Sequence, residues 1–138
     1  MVCAKNSAPA SPVVSAASAG ALEVCQVYST SNLPRTLNTA KEDGWRILGA
    51  AASAPDGMDA ICEELQSVET KDAPPTILVL GSEGHGLRTL VSRACTGFVR
   101  IPGTASDQAQ EEDGTNAGVD SLNVSVTGGI MLWHFLNK

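Results

Sequence analysis

The feature that most constrains this chain is the alternation of short apolar runs with segments of helical pattern. "VCQVYS" from Val24, "RILGAA" from Arg46, "TILVL" from Thr76 and "FVRI" from Phe98 read as strands. Between them, "NLPRTLNTAKEDGW" predicts a helix that starts near Asn32, holds Pro34 in its first turn and closes at Gly44. Asp59 to Val68 reads as a helix with its acids outward, stopped by Pro74 and Pro75. Leu87 to Ala94 and the segment from Ser121 complete the helices. Such alternation implies an α/β fold, a mostly parallel sheet with helices on both faces. A length of 138 residues at 43% hydrophobic suits one domain with a single core, and the 4% aromatic content leaves that core to Val, Leu, Ile and Ala. The Ala/Ser-rich opening "NSAPASPVVSAASAGALE" has Lys5 before it and no Arg, which makes a poor mitochondrial presequence, and it is placed inside the domain.

Charge and cysteine usage narrow the function classes. A net charge of -6 argues against nonspecific nucleic-acid binding by the whole surface, because phosphate contacts need a basic footprint. The acids are uneven, however: Asp107, Glu111, Glu112, Asp113 and Asp120 share a segment without Lys or Arg, and the remainder is close to neutral. Arg88, Arg93 and Arg100 are candidates for a local basic patch, with a solvated helix face as the equal alternative. Cys3, Cys25, Cys62 and Cys95 are widely spaced and form no C-x-x-C pair, which suggests neither a zinc site nor a disulfide framework, so no metal is expected. Scattered thiols fit a reducing compartment. The apolar stretch Gly128 to Leu136 is too short to span a bilayer and contains His134, so no membrane partner is expected.

Two stretches carry chemistry. In "LGSEGHGL", Leu80 to Leu87, glycines follow a strand and precede a helix. Glycine permits positive φ and close approach of the backbone to a ligand, and the helix that follows aims its free amides at the same place. In open α/β sheets ligands bind beyond the strand carboxyl ends. The order G-x-x-G-x-G matches neither the dinucleotide fingerprint nor the phosphate-binding loop, so by itself a plain glycine turn and a site are equally good readings. In "SLNVSVTGGIMLWHFL", Ser121 is the expected cap. Leu122, Val126, Ile130 and Trp133 share one helix face, and Val124, Met131 and Phe135 another. A helix apolar on two sides calls for a second partner beyond one core, and a second subunit is expected there. Asn123 and Ser125, polar among apolar neighbours, need hydrogen-bond partners, through capping or through a site.

Together with "RIP" between them, these stretches resemble the second and third motifs of the SpoU family of SPOUT-superfamily RNA ribose 2′-O-methyltransferases. The opening "KNSAPASPVVSAASAGALE" is similar to that family's middle segment, particularly in mitochondrial large-subunit rRNA guanosine 2′-O-methyltransferases. The resemblance spans nearly the whole chain. It implies a single SPOUT domain over residues 1–138 with a C-terminal trefoil knot, a rare exception to unthreaded chains. It also implies S-adenosylmethionine as cofactor, RNA, in particular rRNA, as substrate, and a homodimer through the Ser121 to Leu136 helix. The cofactor-pocket positions it carries over are Leu80, Gly81, Ile101, Pro102 and Leu122. Glu83, Ser121 and Asn123 match the family's polar catalytic positions, with Ser125 beside them. His85 and His134 match no role and are expected on the loop surface and packed in the helix. The mitochondrial matrix is the implied compartment; cytoplasm and plastid also hold members.

Methyl transfer to a ribose hydroxyl requires in-line positioning, worth about 7–11 kcal/mol when correct, and removal of a proton. Glu83, with an ordinary carboxyl pKa of about 4.3, is a feeble base for an alcohol and better suited to orienting Asn123 or the substrate. The family's base is thought to be an arginine in an N-x-G-x-x-x-R first motif. This sequence holds no such segment and no Arg before Arg35. The expectation is therefore a domain lacking its first motif and any N-terminal RNA-recognition domain. Ala16 stands where many members carry Lys, and the loop from Gly103 to Asp120 is longer and more acidic than usual. A catalytically inactive SPOUT fragment serving as a cofactor-binding or dimerisation module is the alternative, and an unrelated nucleotide-binding α/β domain the third reading.

Overall fold

A computed structural model describes residues 1–5, 7, 9–55, 57–58, 60–82, 85–102 and 122–137. They divide into two compact units, Met1–Thr36 and Leu37–Lys138.

In the first unit, β1 (Val2–Cys3) pairs in parallel with β2 (Ser29–Thr30), Val2 opposite Ser29 and Cys3 opposite Thr30. Two short helices lie between them in sequence, α1 (Pro12–Ala17) and α2 (Ala21–Val24). Pro12 opens α1, where its missing N–H would have had no helical acceptor. Ala19 and Gly20 turn the chain through positive φ of 50° and 83°, and Ser18 Oγ accepts from Leu22 N at 3.2 Å to start α2. This turn overrides the β preference of Val24, which ends α2 instead of beginning a strand. Of the expected "VCQVYS" strand, only Ser29 lies in a strand, continuing into Thr30, with Tyr28 O accepting from Val2 N at 2.8 Å.

Helix α3 (Leu33–Glu42) forms where its sequence predicts it. Asn32 Oδ1 accepts from Arg35 N at 3.1 Å, capping one orphan amide. At the other end Gly44, at φ 85°, lets Trp45 N reach back to Ala40 O at 2.9 Å.

The second unit is built on four parallel strands in the order β4 (Cys62–Glu64), β6 (Gly97–Arg100), β3 (Arg46–Ala50), β5 (Thr76–Val79). The alternating elements therefore fold into the expected α/β parallel sheet. Ile47, Leu48, Phe98 and Val99 in the central strands are buried, the near-continuous apolar pattern of a sheet covered on both sides. Thr96 fixes the start of β6: its hydroxyl accepts from Ile47 N at 3.0 Å and donates to Ile47 O at 2.9 Å. Leu48 and Val99 gather with Leu65, Val68 and Met131 into a core against which Ala50, Leu78, Ile101 and Phe135 pack.

The segment predicted as a helix up to Val68 is corrected. Its described residues form β4 and a 3-10 turn, Leu65–Ser67. The open edge of β6 offers Cys62, Glu63 and Glu64 partners in Phe98, Val99 and Arg100, and Phe98 N donates to Ile61 O at 2.9 Å. A ladder bond per residue and an Arg100–Glu64 ion pair at 2.7 Å outweigh a helical preference of a few tenths of a kcal/mol, roughly, per residue. The turn that follows buries Leu65 and Val68.

Helix α4 (Thr89–Ala94) starts two residues later than predicted because Arg88 is extended. Helix α5 (Val124–Leu136) is capped by Asn123, whose side chain accepts from Ser125 N at 2.8 Å, and not by Ser121, which lies outside the described residues. The two faces read from the sequence separate cleanly in burial. Met131 is 1% exposed and Phe135 packs on the core, whereas Trp133 is 71% exposed and Val126 and Ile130 are also exposed. No helix among the described residues is long and apolar enough to cross a membrane.

Candidate functional site

Strands β5 and β6 are parallel neighbours of β3, so the segments that leave them, Leu80–Gly81 and Ile101–Pro102, emerge at the same edge of the sheet. That edge is the carboxyl end, where α/β sheets hold ligands. After Leu80 the chain closes on itself: Ser82 N donates to Gly86 O at 3.1 Å, and Gly86 N to Ser82 O at 3.0 Å. Two of the glycines are required for different reasons. A Cβ on Gly81 would lie 2.8 Å from Gly86 Cα and closer still to its carbonyl, so only glycine fits. Gly86 has open space around it but sits at φ 60°. Leu87 then crosses over Gly49 of β3, where a Cβ would lie 2.7 Å from Leu87 Cδ1.

Helix α5 meets this loop through Gly128, at which a Cβ would lie 2.9 Å from Leu80 Cδ1. One turn further, Met131 enters the core that Ile101 also packs against. The structure thus brings Leu80 and Gly81, Ile101 and the first half of α5 to one end of the sheet. Leu80 and Leu122 remain 39% and 41% exposed, and Gly81, Ile101 and Pro102 are half-buried. Backbone polar groups next to half-exposed aliphatic side chains form a surface suited to a ligand with a flat apolar part and hydrogen-bonding edges. Asn123 sits at the N-terminus of α5. Glu83 and Ser121 lie outside the described residues. His85 is exposed on the loop, and His134 is half-buried, its ring edge-on to Phe135 at 5.6 Å.

Other titratable side chains of the sheet are engaged with one another or buried, including Arg100 and Glu64, the last residues of β6 and β4. Arg100 is paired with Glu64, which removes it from the candidate basic patch, while Arg88 and Arg93 are exposed. Burial pushes the Cys62 thiol up, against the opposing pull of Arg100. Burial likewise pushes Cys95 up to about 11, with Lys41 acting the other way, and its Sγ donates to Val91 O at 3.4 Å. Neither thiol is activated as a nucleophile.

Two features were not read from the sequence. Gly128 admits Leu80 against the helix; its signal is the small pair Gly128–Gly129 inside an otherwise bulky apolar helix. In the first unit, α1 and α2 border an open cleft of about 500 Å³ in which Ser15 Oγ donates to Glu23 Oε1 at 2.7 Å.

Comparison with known proteins identifies the family and the fold. The description SpoU rRNA Methylase family matches residues 1–133. The mitochondrial rRNA methyltransferase 1 of Schizosaccharomyces pombe is 40% identical over 92% of this chain and 38% of its own length. The 23S rRNA (guanosine-2′-O-)-methyltransferase RlmB of Nitrosomonas europaea is 35% identical over 89% of this chain and 39% of its own. The chain therefore spans under two-fifths of either relative. Among solved structures, an S-adenosylmethionine-bound rRNA methyltransferase from Sinorhizobium meliloti shares the fold with a TM-score of 0.70 at 19% identity, over 97% of this chain and 44% of that one. With a match that runs from the first residue through the glycine loop and nearly to the end of α5, the chain belongs to the SpoU rRNA methylase family.

Proposed function

We propose that this chain supplies the cofactor pocket and the ribose-positioning end of an rRNA ribose 2′-O-methyltransferase that acts on a guanosine and uses S-adenosylmethionine. The observation that carries this reading is the self-closed glycine loop at the carboxyl end of the sheet, with Leu80 seated on Gly128. S-adenosylmethionine fits the residues present: the Gly81–Gly86 contact leaves backbone amides and carbonyls without side chains in front of them, and Leu80, Ile101, Pro102 and Leu122 offer aliphatic surface for the adenine and ribose. When bound, that cofactor supplies an electrophilic methyl group. Glu83 and Ser121 are assigned to orienting the ribose hydroxyl together with Asn123, at the start of α5, where the helix also presents unsatisfied amides.

The reading extends to architecture. Helices on both faces of the four-stranded sheet and a trefoil knot formed by the segments from Ile77 to Leu136 are proposed, supported by the parallel sheet and by the fold shared with the Sinorhizobium meliloti enzyme. A single domain is proposed on the family match that spans both compact units, residues 1–133. The uncovered apolar face of α5, with Val126, Ile130 and Trp133, supports a homodimer built on that helix. Names of mitochondrial relatives support a place in the mitochondrial matrix, and bacterial relatives share the same domain.

Equilibrium dialysis with labelled S-adenosylmethionine tests the pocket. Saturable binding displaced by S-adenosylhomocysteine is expected, and its absence overturns the reading. With ribosomal RNA added, these 138 residues are expected to transfer no appreciable methyl, since they include no N-x-G-x-x-x-R arginine to take the hydroxyl proton.

A further inference from the structure

The segment "NSAPASPVVSAASAGALE" is not used by the cofactor pocket, yet its two helices border the open cleft of about 500 Å³ in the first unit. Its lining combines three kinds of surface. Pro12, Ala16 and Leu22 give it an apolar lining against which a flat ring can rest. Glu23 presents a carboxylate held in place by Ser15, whose hydroxyl donates to Oε1 at 2.7 Å. Ser11 precedes α1 in the extended N-cap conformation but makes no capping bond with its side chain, so its hydroxyl is available to the cleft.

A carboxylate is an acceptor-only group with two parallel oxygens, matched best by two N–H donors side by side. Among the four RNA bases, only guanine offers that on its Watson–Crick edge, through N1–H and the N2 amine, with the O6 acceptor next to them. Adenine, cytosine and uracil each place an acceptor where the second donor would have to be. Sequence-specific recognition of RNA works on unstacked bases through such edges, with the ring against apolar surface. A negative group is also a poor generic RNA contact, since it repels phosphates, and so serves better as a base reader than as part of a backbone-binding surface.

From this juxtaposition we propose that Glu23, oriented by Ser15, reads the Watson–Crick edge of a guanine seated between α1 and α2, with Ser11 facing O6. The proposal rests on the methyltransferase reading above and names its specificity-determining residue.

Guanosine, inosine and adenosine 5′-monophosphates titrated into the full chain, followed by ¹H–¹⁵N spectra, test it. Inosine monophosphate lacks only the N2 amine. The guanosine nucleotide is expected to bind at least about tenfold tighter than either other nucleotide, the discrimination typical of a bidentate base contact, with shifts centred on residues 10–23. Glu23→Gln, checked for folding by circular dichroism, should abolish the gap between guanosine and inosine nucleotides, and Ser15→Ala should narrow it. Equal binding of the three nucleotides, no binding of the guanosine nucleotide, or a folded Glu23→Gln variant that keeps the preference overturns the proposal. S-adenosylmethionine binding measured on the same sample separates the two readings. Base preference without cofactor binding keeps Glu23 as a guanine reader but removes the methyltransferase reading and with it the role in that reaction, while cofactor binding without base preference removes this assignment alone.

Discussion

Leu80, the last residue before the glycine loop, rests on Gly128 in the middle of α5, and a Cβ at Gly128 would stand 2.9 Å from Leu80 Cδ1. This contact separates stability from binding. The clash would fall on the end of a flexible, half-exposed side chain, which can swing away. Alanine meanwhile favours a helix interior over glycine by about 1 kcal/mol. Gly128→Ala is therefore expected to keep or slightly raise the melting temperature while weakening S-adenosylmethionine binding through the displaced Leu80. A melting curve and a dialysis measurement on the same variant check both signs.

Gly81 and Gly86 should respond differently to the same substitution. At Gly81 a Cβ meets backbone, which no side-chain rotation relieves, so Gly81→Ala must open the loop, at about 1–3 kcal/mol, and abolish cofactor binding. At Gly86 there is space, and alanine pays only for positive φ, roughly 1–2 kcal/mol, with the loop still closed. Retention of cofactor binding in Gly86→Ala and its loss in Gly81→Ala is the expected pair of results. The reverse order would show that the loop is held by something other than this backbone contact.

How much of this was legible in the sequence depends on which residues decided each element. Helix α3 and strands β3, β5 and β6 carry their own signals, Asn32, Pro34 and Gly44 for the helix and compact apolar runs for the strands, and all form as read. The stretch from Cys62 to Ser67 could not be read locally, because its conformation is chosen by the free edge of β6 and by the Glu64–Arg100 pair, 36 positions apart in sequence. Cap assignment on α5 failed for a smaller reason: Ser121 and Asn123 are both good caps, and only the backbone at Asn123 shows which one is used. The glycine turn after Leu80 is legible as a strand-to-glycine junction, while its proposed role in holding the cofactor is what the family resemblance implies. The contact of Gly128 requires knowing which strand end lies over the helix.

Met131 and Trp133 look equivalent in an apolar helix, but the fold gives them opposite environments. Met131→Asp places a carboxylate in the core formed with Leu48, Leu65, Val68 and Val99, and several kcal/mol of lost burial and desolvation should unfold the protein. Trp133→Asp changes an exposed position and should leave the fold intact. If α5 joins two subunits, the tryptophan variant alone yields a folded monomer. Circular dichroism with light scattering reads both outcomes, and a wild-type chain that is folded and monomeric at high concentration removes the dimer.

Cys95 predicts an alkaline limit to stability. Its buried thiol is pushed up from 9.0 to about 11, so between these values the unfolded chain ionises while the folded one resists. The favourable contribution is complete below pH 9.0 and is lost as pH rises towards about 11, amounting to about 2 kcal/mol at the upper end. Denaturant midpoints measured across that window should fall, and Cys95→Ala should fall less steeply. Thiol labelling should follow the same logic, with exposed Cys25 reacting first and buried Cys95 last.

Asn123 carries a structural duty and a proposed chemical one, and two substitutions distinguish them. Its Oδ1 accepts from Ser125 N, so Asn123→Ala leaves an α5 amide without its cap and should cost about 0.5–2 kcal/mol. Asn123→Asp keeps the acceptor and adds a negative charge at a helix N-terminus, where it is favourable by about 0.3–1 kcal/mol, so its stability should match or exceed that of the parent. Aspartate has lost the amide donor, however, and brings charge towards RNA. If the side chain serves only as a cap, the aspartate variant should bind ribosomal RNA in the presence of S-adenosylmethionine as the parent does. If its amide orients the ribose, RNA binding in the presence of the cofactor should fall in both variants while the melting temperature falls only for alanine. Filter binding at fixed salt alongside thermal melts separates these results, and equal RNA binding by all three proteins would remove Asn123 from the proposed chemistry.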